Sequence, residues 1–342
     1  MVTEAFGSME VLGKGIVQYV SSNKIIISKG NKLFCKKRNN SHWKPWCNLP
    51  ISLSEKFYSS NRWLSRLFRN EVHHVIKIRD GIFACFAFGK IYLVEENIGQ
   101  VEVIGNIKGS RPLKICSDGS CIYYGVYTGN TERKPIKLFS YLLEESKWSV
   151  YHIFNNIRHI HGVFWDQYES NLWVTTGDLD HESIIWRFND KGEPEKIATG
   201  SQQTRAVDLL FTKDAIFYTT DAPNEQNYIY CLDRKSGQVE QLQEIGGPVF
   251  YGKALENGLF FSTVVEPSEV NRMDAVELWY SNDEGKNWKK IKEFKKDFGH
   301  MKLFQYGQIK FPNGSGDGNN LWFTPYATEY DHQIMKLPLD SV

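Results

Sequence analysis

Four short runs in succession, HIHGVFWD (159–166), NLWVTTGD (171–178), SIIWRFND (183–190) and EPEKIAT (193–199), are followed by four more on the same plan: RAVDLLFT (205–212), AIFYTTD (215–221), YIYCLDR (228–234) and QVEQLQEI (238–245). Ile, Val, Tyr, Phe, Trp and Thr dominate these runs, and Gly, Asn and Asp bound them. This is the pattern of strands. Period two puts alternate side chains on opposite faces of a sheet, while Gly, Asn and Asp accept the backbone angles of tight turns. Two consecutive units of four strands predict a repeat architecture in which each unit is one propeller blade.

The second strand of the unit recurs along the chain as KIIIS near Ile26, GIFACF near Phe83, CIYYGVY near Tyr123, GLFFST near Phe260 and NLWFTP near Trp322. Together with the two units above, that makes about seven copies at spacings of roughly 40 to 60 residues, the length of a four-stranded unit. The predicted fold is all-β: one seven-bladed β-propeller domain spanning 1–342, with six blades as the alternative because the first unit is the weakest. The predicted blades are 14–50, 72–108, 111–156, 157–199, 203–246, 247–296 and 299–342. MEVLG at 9–13 is placed as the outer strand of the last blade, an exchange that closes the ring and leaves only short edges. A tandem of β-sandwiches competes, but it supplies no reason for the repeat. Only SEKFYSSNRWLSRLFRN (54–70) has helical character, with Phe57, Trp63, Leu64 and Leu67 at helix-like spacing behind a Ser-x-Glu start; it is predicted to be a surface insertion.

Composition agrees with a folded chain. Of 342 residues, 41% are apolar and 14% aromatic, enough for a sizeable core. Lys and Arg total 41 against 40 for Asp and Glu, so the long-range attraction that a nucleic-acid partner requires is missing. No apolar run approaches the roughly 20 residues that span a bilayer, and the start, MVTEAFGSMEVLG, lacks the basic and apolar regions of a secretory signal. A cytoplasmic location is the expectation. The six cysteines form no CxxC and sit mostly within strand-like runs, which predicts reduced, buried thiols without chemistry.

Ser281-Asn282-Asp283-Glu284-Gly285-Lys286-Asn287-Trp288 matches S-x-D-x-G-x-x-W at every defined position and resembles the Asp-box of BNR-repeat propellers. That motif is a hairpin turn in which Asp bonds turn amides, Gly takes an unusual backbone angle and Trp packs beneath. The blocks from Arg158 to Pro267 resemble those of uncharacterised Asp-box propellers. The resemblance implies a propeller distantly like sialidases and other glycoside-acting enzymes, with the box on an outer hairpin away from any site.

In a propeller the first strand of each blade lines the central channel, so residues at first-strand starts face the mouth. Among them are His73, His74 and Lys77, Arg111, Arg158, His159 and His161, Gln203, Arg205 and Asp208, Tyr251 and Lys253, and His300 and Lys302. Arg111, Arg158 and Arg205 recur at intervals of 47 residues. They read either as a clamp, since guanidinium forks bind carboxylates bidentately, or as glue between blades paired with Asp166, Asp178 and Asp208. The clamp resembles the arginine triad with which sialidases hold sialic acid, although the F-R-I-P motif of that family is absent. Gln203, Tyr251, Lys253 and His300 complete the predicted substrate contacts.

His159 and His161 stand two apart on a strand and share a face. With His300, His73 or Gln203 they are candidate ligands of a divalent metal ion, an arrangement similar in architecture to oligogalacturonate lyases. They read equally as structural imidazoles or, without a metal, as a general base. Asp178, with His181 beside it, Asp221 and Glu266 follow matching second strands, as catalytic carboxylates or as residues bonding their own turns. The predicted function is recognition of an acidic glycan carrying uronic or sialic acid. Cleavage is by hydrolysis, with Asp178 or Glu266 as acid, or by β-elimination, with His159 or His161 taking the proton. The alternative is a non-catalytic glycan-binding or protein-interaction scaffold.

Overall fold

Each apolar run turns back on its predecessor at Asn, Asp or Gly, so the chain is laid down as a series of antiparallel ladders. In the computed structural model, which describes residues 9–37, 40 and 42–341, the described residues form seven four-stranded sheets. Most of the stretch read for an export signal lies outside the described residues. Blade 1 comprises Ile16–Val20, Lys24–Lys29, Lys32–Lys37 and Lys44–Asn48, and blade 2 comprises Val72–Arg79, Ile82–Ala87, Lys90–Glu95 and Gln100–Asn106. Blade 3 is built from Ile115–Ser117, Cys121–Gly125, Ile136–Leu142 and Lys147–Phe154, and blade 4 from His159–Asp166, Asn171–Gly177, Ile184–Phe188 and Pro194–Thr199. Blade 5 follows with Ala206–Phe211, Ala215–Thr220, Asn227–Asp233 and Val239–Ile245, then blade 6 with Val249–Leu255, Gly258–Thr263, Ala275–Ser281 and Lys289–Lys295. Blade 7 takes Gln308–Lys310, Asn320–Tyr326 and Gln333–Pro338 from the end of the chain and Glu10–Lys14 from its beginning, the latter antiparallel to Gln333–Pro338. This exchange ties first blade to last.

First strands of neighbouring blades lie against one another around the ring and line the channel. Second strands supply the packing between blades. Phe260 and Leu278 of blade 6, for example, share one buried cluster with Leu321, Phe323 and Met335 of blade 7. Burial of such surface, at about 25 cal/mol per Å², is what holds the blades edge to edge.

A recurrent irregularity shapes the channel. The first strands of blades 1, 2, 4, 5 and 6 each carry a bulge near their starts, between Val17 and Tyr19, Val72 and His74, Ile160 and Gly162, Ala206 and Leu209, and Val249 and Tyr251. A bulge bends the strand and re-aims a side chain. Here it does so at the same end of the channel in five blades.

The Ser281–Trp288 turn joins the two outer strands of blade 6. Asp283 Oδ1 accepts from the Ser281 hydroxyl (2.8 Å) and the Asn287 amide (2.9 Å), and Trp288 Nε1 donates to the Gly285 carbonyl at 2.9 Å. Gly285 has φ +85°, and a Cβ there would stand 2.2 Å from the Phe217 ring of blade 5. Only glycine serves.

Between blades 1 and 2 the helical insertion forms α1 (Leu53–Ser60) and α2 (Arg62–Phe68). Ser52 and Glu55 make a capping box, and Asn61 breaks the helix while its side chain accepts the Trp63 and Leu64 amides. The insertion lies on the surface, as expected, with its apolar residues only partly covered. Phe57 stays 63% exposed, and α2 instead buries Arg66 at 1%, held by Asp297 (2.5 Å) and the Phe304 carbonyl. Arg62 adds a bidentate pair with Asp331 at 2.7 and 2.8 Å. A guanidinium this buried requires paired acceptors, and the blade 6–7 connection, with its short α3 (Met301–Phe304), offers them. The insertion is therefore docked through charge.

All six cysteines are free; Cys85 is buried, whereas the other five are half-buried rather than buried as expected. Among the described residues no helix is long and apolar enough to cross a membrane.

Candidate functional site

The blade 4 bulge at His161 brings three side chains into one space. His159 Nδ1 lies 2.9 Å from the Thr128 carbonyl and His161 Nδ1 lies 3.2 Å from the Ala206 carbonyl. A carbonyl only accepts, so each Nδ1 carries its ring's proton and each Nε2 presents a lone pair. The two Nε2 atoms stand 3.0 Å apart, and Asp178 Oδ1 lies 3.3 Å from that of His161 and 3.4 Å from that of His159. Both imidazoles are buried and Asp178 nearly so. Burial pushes His161 down to about 4, so its own Nε2 carries no second proton at neutral pH. Three lone pairs directed at one another repel unless a cation lies among them, and two imidazoles with a carboxylate are a recurrent donor set for divalent ions. The residues fit the group: His159, His161 and Asp178 can coordinate a divalent metal ion.

Around this triangle the charges are unevenly satisfied. Arg158 pairs with Asp178 at 2.8 Å; Arg205 lies between Asp178 at 3.0 Å and Asp221 at 3.2 Å. Two of the three regularly spaced arginines thus already hold carboxylates of the chain. Burial would raise the Asp178 carboxyl, but the two imidazoles and Arg205 hold it well below the usual range. Asp221 moves the other way: burial pushes it up to about 7 against the pull of Arg205. Glu266 is also raised by burial, with Arg205 and a hydrogen bond from Tyr306 opposing.

Arg111 makes no ion pair among the described residues. Arg69, the left-handed cap that ends α2 (φ 52°, ψ 38°), faces it; burial and then the Arg111 charge depress the Arg69 guanidinium. The Tyr127 ring lies 4.2 Å from that of His159, and its hydroxyl, raised by burial to about 12, is pushed further up by the charges of Asp221 and Asp178 and pulled down by those of Arg111 and Arg205. One mouth therefore holds the candidate metal ligands, the raised carboxyls and two arginines that make no ion pair among the described residues.

The remaining sequence candidates lie elsewhere. Gln203 sits on a 3₁₀ turn, donating to Glu225 and accepting from the Tyr230 hydroxyl, each at 2.7 Å. His300 is the exposed N-cap residue of α3 and is not part of the ligand triangle, whose third member is Asp178. Tyr251 faces Lys114, with the ammonium 5.3 Å from its ring. Lys253 donates to the Pro312 carbonyl at 3.0 Å and to that of Gly314, at the end of the channel where the first strands finish. Sequence reasoning missed Arg69, Tyr127 and Tyr306. The one available signal for Arg69 was its place at a helix end, where a left-handed cap turns the chain; nothing local marked the two tyrosines.

No family model matches the chain, and no curated protein is significantly similar to it. Solved structures share its fold. An oligogalacturonate lyase in complex with manganese is 10% identical, with a TM-score of 0.62, over 98% of this chain and 94% of that one. An oligogalacturonate lyase from Vibrio parahaemolyticus is 11% identical, with a TM-score of 0.63, over 97% and 96%. Virginiamycin B lyase from Staphylococcus aureus is 14% identical, with a TM-score of 0.61, over 97% and 99%.

Proposed function

We propose that the channel mouth binds an acidic glycan through its uronic carboxylate and cleaves it by β-elimination with the help of a divalent metal ion. The observation that carries this reading is the meeting at one mouth of the His159–His161–Asp178 triangle with Arg69 and Arg111, two cations with no ion pair among the described residues. The manganese-bound oligogalacturonate lyase with the same fold supports it by analogy.

Arg111 and Arg69 draw in and orient the sugar carboxylate, a planar anion matched to guanidinium forks. A divalent ion held by His159, His161 and Asp178 would withdraw charge from that carboxylate and acidify the adjacent C–H. Glu266 takes the proton, the C–H pair becomes the C=C bond, and the glycosidic C–O bond breaks. The departing oxygen takes a proton from Asp221, which at about 7 is still partly protonated near neutrality. Tyr127 backs His159 and fixes its ring. If both Nε2 lone pairs held an ion, neither imidazole would be free to act as the base, and that duty would fall to Glu266.

Hydrolysis is the second reading, favoured by the same raised pair, Asp221 and Glu266, which suits acid and base work on a sugar. Incubation with oligogalacturonides and sialylated oligosaccharides, with and without manganese, separates the readings. Elimination yields the ultraviolet absorbance of an unsaturated uronate, lost on chelation and restored by the ion. Hydrolysis yields reducing ends without absorbance. Substrates that are bound but uncut under every metal condition would leave only the glycan-binding module.

A further inference from the structure

At the opposite end of the channel a pocket of about 230 Å³ is lined by Lys114, Lys253, Asp208, Trp165, Gln167 and Asn313, among others. Asp208 is buried and its oxygens are taken: Oδ2 by Lys114 at 2.5 Å and the Gly252 amide at 2.6 Å, Oδ1 by the Leu209 amide at 3.0 Å. Lys253 has the Pro312 and Gly314 carbonyls. An ammonium has three N–H donors, so one on Lys253 and two on Lys114 are left without an acceptor among the described residues. The side-chain amides of Asn313 and Gln167 are likewise unbonded within the described chain. Two cations share one anion in a concave site. Donors exceed acceptors.

We infer that this far-end pocket is a second ligand site, built for a small oxyanion (phosphate, sulfate or a carboxylate) bridging Lys114 and Lys253. The anion accepts the idle ammonium donors and restores charge balance, Asn313 and Gln167 supply neutral donors, and Trp165 offers an aromatic wall to any sugar the oxyanion rides on. Burial first, then Lys114, lowers the Lys253 ammonium to about 7 against Asp208, the repulsion that a bridging anion relieves. Lys114 keeps 19% side-chain exposure, so the ion has a way in. Gly314 is part of the fit: at φ +91° a Cβ would stand 2.2 Å from the Val20 carbonyl, so the loop that supplies the Lys253 acceptors tolerates no side chain there. This inference is independent of the chemistry proposed at the mouth.

Calorimetric titration of sulfate, whose charge is constant around neutral pH, tests it in the full chain carrying Arg111→Ala, which removes a mouth arginine from the measurement. One saturable site is expected. Lys253→Met in that background should weaken it at least tenfold, and Asp208→Asn, which removes the competing charge and keeps the shape, should tighten it. A sugar phosphate that binds more tightly than inorganic phosphate identifies a sugar-borne oxyanion as the occupant; equal affinity identifies the free ion. No saturable binding, or an affinity indifferent to Lys253→Met, overturns the inference. Should Lys253→Met fail to fold, Asp208→Asn decides alone, and no gain in affinity is then the overturning result.

Discussion

At the mouth of the channel His159, His161 and Asp178 turn three lone pairs toward one another, whereas at the far end Lys114 and Lys253 hold N–H groups that Asp208 cannot satisfy. The same architectural position, the lumen of one ring of strands, thus carries opposite imbalances at its two ends. One end gathers more acceptors than its arginines satisfy and the other more donors than Asp208 satisfies. Each imbalance names the charge of what would complete it. The difference also divides the three regularly spaced arginines between the two readings of their spacing. Arg158 and Arg205 lie beside the acceptor-rich triangle and are spent on Asp178, while Arg111, in the field of Arg69, Tyr127 and Tyr251, makes no ion pair among the described residues.

The largest expected effect falls at the mouth. His161→Ala or Asp178→Asn should weaken divalent metal binding on the order of a hundredfold or more, measured by competition with a chelating dye. Retained affinity in both would remove the contrast between the two ends. Next, Arg111→Ala and Arg69→Ala should each weaken binding of an acidic oligosaccharide about tenfold, or about 1.4 kcal/mol, with metal affinity unchanged. If Arg158→Ala alone has that effect, the clamp is the one the sequence spacing implied.

Stability against pH sharpens the contrast further. Asp178 is depressed in the folded chain, so its contribution is present above its ordinary value of 3.8 and disappears as pH falls below it. Lys253, facing Lys114 and Asp208, is lowered to about 7 from 10.5; the unfolded chain then binds more protons between those values, and stability should rise with pH across that window. Urea midpoints at pH 6, 8 and 10 should show the rise, and Lys253→Met should flatten it. The smallest effect belongs to the outer hairpin. Asp283→Ala should cost about 1 kcal/mol through lost turn hydrogen bonds and leave metal and sulfate binding alone; a change in either would give the Ser281–Trp288 turn a role beyond scaffold.

Much of this molecule is legible in one dimension. Strand, turn and repeat are local properties: NLWVTT and AIFYTT declare a buried strand by composition, the Gly, Asn and Asp between them declare the turn, and MEVLG declares a strand without a neighbour in its own sequence vicinity. His159 and His161 were readable together for the same reason, since period two places them on one face. The third ligand was not. Asp178 reaches them from the next strand of the blade through a bulge whose register no spacing encodes. Arg69 arrives from an insertion whose docking depends on Arg66 finding Asp297, a partner 231 residues away. Lys253 was placed at the mouth by its strand and sits instead at the far end, held by carbonyls of blade 7. Sequence by itself determined the blade, the ring and the kinds of charged residue that face the channel, because backbone propensity and burial act over a few residues. Only the tertiary structure decided which charges meet, because pairing in a closed ring depends on contacts between blades far apart in the chain, where an ångström of bulge or a capped helix end selects the partner.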